Sequence, residues 1–230
     1  MAKRAVPMDP SLTGSRTPVT PKLTRRAFLG ATAAGLGALA IGPGCATRTG
    51  PADRPNFLFI LTDDQRFDTL GCAGNRIIRT PNVDRLAGEG IRFDRAFVTT
   101  PICAASRASI LTGTYERTHT YTFTKPPLAP AFTDISFPVR LRRAGYRTGF
   151  VGKFGVSVEK GVPAEMFDFT YFDGLPHVQT VDGVERHMTE VEGDKAVDFL
   201  RGVEPGRPFC LFWCPWAPHA DDDNPKQYFW

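Results

Sequence analysis

The sequence predicts an α/β fold, a doubly wound and mainly parallel sheet with flanking helices. Three observations predict it. Short unbroken apolar runs stand at residues 56–61 and 208–213, the pattern of strands buried on both faces of a parallel sheet. Segments with helical signals alternate with the strand-like runs along the chain. Gly and Pro fall between segments rather than inside them, at Pro81, Gly88, Gly113 and Gly145.

Taken in order, residues 1–54 read as a leader followed by a Gly/Thr/Pro/Arg linker, and the fold is expected to begin near Pro55. Asn56-Phe57-Leu58-Phe59-Ile60-Leu61 supplies the first strand. Residues 81–88 predict a short helix with Thr80 as N-cap, Pro81 at its first position and Gly88 near its end. Residues 91–98 have strand character. Residues 103–111 are predicted helical, with Gly113 able to close the helix. A Pro-rich loop at 125–130 leads to an amphipathic helix at 136–144, which Gly145 ends. Residues 146–151 and 208–213 supply further strands. The aromatic-rich stretch 166–172 is expected in the core or as a wall beside the substrate.

The formal net charge of +4 belongs to the leader. Residues 1–45 hold Lys3, Arg4, Arg16, Lys22, Arg25 and Arg26 against one acid, Asp9; without them, 22 basic residues face 23 acidic ones. Bulk basicity therefore gives no support to nucleic-acid binding. Hydrophobic residues at 42% argue for a globular protein. Basic residues, an apolar run over 30–41 and small residues follow one another as in an export signal. That run falls short of the roughly 20 residues a spanning helix needs. The Arg25-Arg26-Ala27-Phe28-Leu29 segment resembles the twin-arginine signal, which implies export of a folded protein to the periplasm or the extracellular space. Cys45, after Gly42-Pro43-Gly44, is a candidate lipid-attachment cysteine with a poor lipobox upstream. Five cysteines fit no disulfide framework. Cys210 and Cys214 lie along one strand, where four residues span roughly 13 Å, too far for a bridge.

Two constellations carry chemistry. Asp63-Asp64 follows the first strand, and ligands of open α/β sheets gather at the carboxyl ends of strands. Adjacent carboxylates there suit a hard divalent cation, or else form a solvated acidic turn. Cys103-Ala104-Ala105-Ser106-Arg107 places a cysteine at a helix start, where unpaired N–H groups and the helix dipole attract anions. Arg107 lies one turn on, so both side chains can face one site. A thiol phosphatase is excluded, because its arginine would stand six positions after the cysteine, where this chain has Ser109.

The stretch from Cys103 to Gly113 resembles the signature of the sulfatase family. The resemblance extends through Asn56 to Gln65, the Thr80-Pro81-Asn82-Val83-Asp84-Arg85-Leu86-Ala87 segment, Gly145-Tyr146-Arg147-Thr148, Gly152-Lys153 and Ala217-Pro218-His219, in family order. It implies the alkaline-phosphatase-like fold, with residues 55–230 as an N-terminal, C-terminally truncated portion of the catalytic domain. It further implies a sulfuric ester hydrolase that releases sulfate from an organic ester. Cys103 would be oxidised to formylglycine by a maturation enzyme. Asp63 and Asp64, with the modified Cys103, would bind Ca²⁺. Arg107 would hold the modified residue, and Lys153 and His219 would contact the sulfate. Sulfated carbohydrates or small sulfate esters would be substrates, the twin-arginine machinery a transport partner and nucleic acid no partner.

Three departures from the family pattern matter. Ala105 replaces the common Pro. Gly155 stands where many relatives have a histidine associated with the leaving group; neither His177 nor His187 aligns with it, and both are expected on the surface or in loops. The chain reaches Trp230 without the family's later metal-binding pair and further lysine, and Asp221-Asp222-Asp223-Asn224 reads as a solvated acidic loop. The metal shell would be incomplete and the sheet left with an unpaired edge. Two other readings stay open: a phosphodiesterase or phosphonate monoester hydrolase of the same superfamily, and a catalytically silent chain.

Overall fold

The computed structural model describes residues 54–123, 126–172, 174 and 176–220. The leader with Cys45, residues 46–53 of the linker and the acidic stretch from Asp221 lie outside the described residues.

Four strands form one parallel sheet in the order β1-β6-β2-β3, built from β1 (Phe57–Ile60), β2 (Arg147–Gly152), β3 (Phe169–Tyr171) and β6 (Phe209–Cys214). The central pair β2–β6 runs from Arg147 opposite Phe209 to Gly152 opposite Cys214. Because side chains alternate across a strand, this register sends Phe150 and Phe212 to one face and Val151 and Leu211 to the other. On the first face they meet Ala104, Ala108 and Leu111 of α2 (Cys103–Thr112) and Val139 of α5 (Phe137–Arg143). On the second they meet Ala196 and Phe199 of α7 (Met188–Arg201). Helices on both faces of a parallel sheet are the doubly wound arrangement the sequence predicts.

Phe150 sits at the centre, fully buried, with the rings of Phe154, Phe167, Phe172 and Phe212 between 5.2 and 5.6 Å away. Each such aromatic pair adds about 0.5–1.5 kcal/mol beyond the area it buries. The 166–172 stretch thus divides its work: Met166 and Phe167 enter the core, and Phe169–Tyr171 form β3.

The remaining elements are α1 (Pro81–Glu89), α3 (Glu116–His119), α4 (Pro130–Thr133), α6 (Val162–Met166) and a hairpin of β4 (Val178–Val181) and β5 (Val184–His187). The hairpin turns on Asp182 and Gly183, both at positive φ (51° and 78°), the conformation tight two-residue turns need. Thr80 precedes α1 without capping it; its hydroxyl instead donates to Asp84 Oδ1 and accepts from the Gly71 N–H, both at 2.8 Å.

Several expectations are corrected. Residues 91–98 form no strand: Ile91, Phe93, Phe97 and Val98 are 62–89% exposed, and no described strand pairs with them. β1 is a strand but not a buried one. Among the described residues it pairs only with β6, and Phe57, Leu58, Phe59 and Ile60 are all exposed. An apolar run specifies a strand, and burial additionally requires layers on both sides. His177 lies in a loop as expected, though buried, its ring stacked on that of His187 at 6.0 Å, whereas His187 ends β5 and caps α7 by accepting the Thr189 N–H.

Candidate active site

Every site residue read from the sequence lies beyond the carboxyl end of a sheet strand or on α2. Asp63 and Asp64 follow β1, Lys153 follows β2, and His219 follows β6. Chain pairing continues past the strands through Leu61 N–H to Trp213 O (2.9 Å) and Lys153 N–H to Cys214 O (2.8 Å), which fixes these loops to each other. Gly152 allows this. Its φ is +97°, and a Cβ there would lie 2.3 Å from the Cys214 carbonyl oxygen.

Ile102, in extended conformation, leads into α2, and Gly113 at φ 68° closes it. The helix packs through alanines, with Ala105 and Ala108 fully buried, so its backbone lies close to the core. Cys103 stands half-buried in the first turn, and Arg107 is buried one turn later.

Three charges meet in the interior. Lys153 ion-pairs with Asp63 Oδ2, and Arg107 Nη2 lies 3.5 Å from Asp63 Oδ1. Arg107 Nη1 donates to the Lys153 carbonyl at 2.6 Å. Asp63, Arg107 and Lys153 are each at most 8% exposed. The Asp63 carboxylate therefore faces two cations, and the fully buried Glu192 adds a second carboxylate beside Gly152 and Cys214. Arg107 Nη2 is buried without a hydrogen-bond acceptor in the described chain, which leaves one strong donor for an oxygen brought from outside.

Asp64 projects outward at φ 56°, and its Oδ2 is 3.6 Å from His219 Nε2. His219 Nδ1 donates to the Ala220 carbonyl at 2.5 Å, so Nε2 is the nitrogen turned toward the site. Asp63 and Asp64 offer carboxylate oxygens, the donor type that hard divalent cations take. Among the described residues no group of three His, Cys, Asp or Glu side chains converges as a metal site, and Cys103 does not join the two carboxylates in one.

Trp216 is the site residue that sequence reasoning missed. Lys153 Nζ lies over its ring, 4.2 Å from the centroid, and His219 meets it edge-on at 5.9 Å. Its place three residues before His219 was the only signal. Cys214 also lies beside Arg107, but burial pushes its thiol up to about 12, so it is no rival nucleophile. Cys210 is likewise raised by burial, to about 11. At Gly155, φ is +66° and a Cβ would come 2.9 Å from Arg107 Cδ, so the missing histidine goes with a glycine packed on the arginine stem. A second hydroxyl–imidazole pair, Ser109 Oγ and His119 Nε2 at 3.0 Å, is structural. His119 Nδ1 accepts the Tyr121 N–H, so the neutral ring carries its proton on Nε2 and donates it to Ser109.

Comparison with known proteins identifies relatives of this chain. The sulfatase family profile matches residues 55–229. The chain is 33% identical over 181 residues to an N-acetylglucosamine-6-O-sulfatase of Bacteroides thetaiotaomicron, covering 73% of this chain and 31% of that protein. It is 29% identical over 221 residues to an arylsulfatase of Clostridium perfringens, covering 76% and 46%. A solved structure in complex with its substrate D-glucosamine-2-N,6-O-disulfate superposes with a TM-score of 0.61 at 32% identity, covering 72% of this chain and 35% of that one. The phosphonate monoester hydrolase of Agrobacterium radiobacter shares the fold, at a TM-score of 0.58 and 21% identity. The chain thus spans about a third to a half of the length of these relatives. From residue 55 onward, this chain belongs to the sulfatase family.

Proposed function

We propose that this chain contributes the nucleophile-bearing part of a sulfuric ester hydrolase, acting on a sulfated carbohydrate or a small sulfate ester. The observation that carries the reading is the buried donor Arg107 Nη2, ion-paired with Asp63 but without a hydrogen-bond acceptor among the described residues, one helical turn from Cys103 and beside the Lys153–Asp63 pair. Two buried cations, one of them with a donor lacking an acceptor, suit a tetrahedral oxyanion.

In this reading a maturation enzyme, drawing on an external oxidant such as dioxygen, oxidises the Cys103 β-carbon to the aldehyde of formylglycine. Oxygen takes the place of the departing sulfur. One oxygen of the hydrated aldehyde forms a bond to the ester sulfur, the bond from sulfur to the alkyl or aryl oxygen breaks, and the alcohol departs with a proton. Loss of the proton from the second hydroxyl then breaks the carbon–oxygen bond to sulfate, which restores the aldehyde. Arg107 orients the oxygens on residue 103 and Lys153 receives sulfate oxygens. His219 presents Nε2 toward the same space. Asp63 and Asp64 would hold a divalent cation such as Ca²⁺, which supplies charge neutralisation for the sulfate group. The donor chemistry fits such an ion in kind, with two carboxylates as the described chain's share. Twin-arginine export, proposed from Arg25 and Arg26, would carry the protein out already folded.

Two measurements test the proposal. A mass spectrum of the Cys103 peptide after co-expression with a maturation enzyme is expected to show formylglycine; an unmodified thiol removes the nucleophile. Turnover of an aryl sulfate is expected to exceed that of the matching aryl phosphate and to vanish in Cys103→Ala. A preference for the phosphate would transfer the chain to phosphoryl chemistry.

A further inference from the structure

We infer that the corner built by Arg54, Arg140, Arg143 and Arg147 is a docking surface for a sulfated polysaccharide, separate from the site that carries Cys103. Residues 134–147 hold four arginines against one acid, Asp134. Arg142 is committed to Asp168, which also takes Arg207. The other three, together with Arg54, make no ion pair among the described residues. Backbone carbonyls hold three of these four. Arg54 Nη1 donates to the Ala144 carbonyl, Arg140 Nε to that of Ile135 at 2.8 Å, and Arg143 Nη1 to that of Asp134 at 3.3 Å. Arg147 lies over the Phe199 ring, 4.9 Å from its centroid. Arg54, Arg140 and Arg143 are exposed, so each guanidinium uses one nitrogen on the backbone and keeps its other donors for a ligand.

A guanidinium is a planar fork that meets an oxyanion through two parallel hydrogen bonds. Fixing it beforehand lowers the ordering entropy that binding costs. Arg140 and Arg143 are three residues apart on α5 and so neighbours on its surface, and Arg54 is tied to Ala144 beside them. Such a row offers repeated contacts, which fit a polymer with anionic groups at intervals. The nearby rings select among polyanions. Phe137 is half-buried and Tyr146 is buried against Phe57, so residues 134–147 expose no ring on which a nucleic-acid base would stack. Nor do they expose the Trp, Phe or Leu side chains with which a membrane-surface helix enters lipid. Sulfate esters are the anions of the proposed substrates, and the inference rests on the carbohydrate branch of that proposal. Arg147 opens β2 and Lys153 follows it, a separation of roughly 20 Å along the strand. The corner therefore lies at the opposite end of the sheet from the site. A polymer held there raises the local concentration of its other sulfate esters around the protein.

The test is binding of the whole chain to immobilised dextran sulfate, with unsulfated dextran and phosphatidylglycerol vesicles as references. The leader has six basic residues of its own, so a corner variant and a leader variant are compared with wild type. The corner variant, Arg54→Gln/Arg140→Gln/Arg143→Gln, is expected to weaken binding to dextran sulfate by at least about fivefold. A variant with all six leader residues changed to Gln is expected to lose less than the corner variant, and Cys103→Ala to bind like wild type. Circular dichroism verifies that each variant is folded. In the unaltered chain, dextran sulfate is expected to slow hydrogen exchange in peptides covering residues 134–147. A smaller loss in the corner variant, a larger loss in the leader variant, or equal binding to unsulfated dextran overturns the inference. Tighter binding to the vesicles than to dextran sulfate also overturns it, in favour of a lipid surface. None of these results touches the proposed function, whose tests are the mass of the Cys103 peptide and turnover of the aryl sulfate.

Discussion

At the scale of single residues, Asp63 ion-pairs with both Arg107 and Lys153, and its loss removes the carboxylate that each of these buried cations faces. Asp63→Asn is expected to lower unfolding free energy by about 3–5 kcal/mol in urea titrations at neutral pH. Gly155 sits at φ +66° against the Arg107 stem. Gly155→Ala is expected to cost about 1–3 kcal/mol, and restoring the family's histidine there should not increase turnover, because the side chain would displace Arg107. His119 gives a pH dependence. It is buried, and burial lowers its pKa from the ordinary 6.5. The unfolded chain therefore takes up its proton at higher pH than the folded one. Stability from the neutral ring is fully present above pH 6.5 and is lost as pH falls from there toward the depressed folded value. Thermal midpoints measured from pH 7.5 down to 5 should fall in wild type and fall less steeply in His119→Gln.

At the scale of elements, the sheet and α7 depend on close apolar contact. Phe150→Ala is expected to cost about 3–5 kcal/mol. Gly149 faces α7, and a Cβ there would stand 2.6 Å from the Phe199 ring. Gly149→Ala is therefore expected to overpack the helix against the sheet and cost about 1–3 kcal/mol in chemical denaturation. This scale also shows what the sequence could and could not convey. α2 and β6 were legible because a capping glycine, an alanine-rich face and an unbroken apolar run are local signals. The loop at 91–98 looked like a strand because Ile91, Phe93, Phe97 and Val98 have strand propensity, whereas strand formation needs a hydrogen-bonding neighbour. α7 was missed because Glu190, Glu192 and Gly193 interrupt its apolar pattern, although Glu192 is fully buried. The site's order was legible since each member adjoins a strand end or a helix start. Its charge pairing was not, because Asp63, Arg107 and Lys153 are far apart in the chain and meet only through the β1-β6-β2 order.

At the scale of the whole molecule, the apolar surface is unevenly covered. Among the described residues β1 is paired on one edge alone, and Phe93 and Phe97 stand 77% and 89% exposed. Free edges and exposed apolar patches promote association. The chain is expected to sediment as concentration-dependent oligomers in analytical ultracentrifugation. The pair Phe93→Ser/Phe97→Ser is expected to shift it toward monomer while changing unfolding free energy by less than about 0.5 kcal/mol, since both rings lie in solvent. The central strands obey the opposite rule, with Phe150, Val151, Leu211 and Phe212 enclosed by α2 and α5 on one face and α7 on the other.

The packing of α2 also has a consequence in time. Ala104, Ala105 and Arg107 are buried against the core, while Cys103 keeps partial access at the helix start. An enzyme that identifies its target by gripping the residues after the cysteine must read them while the segment is still extended. Once α2 docks, those side chains are out of reach. On the proposed modification of Cys103, the rate at which this sheet and helix assemble would set its deadline, and mutations that speed folding would shorten it without touching the cysteine.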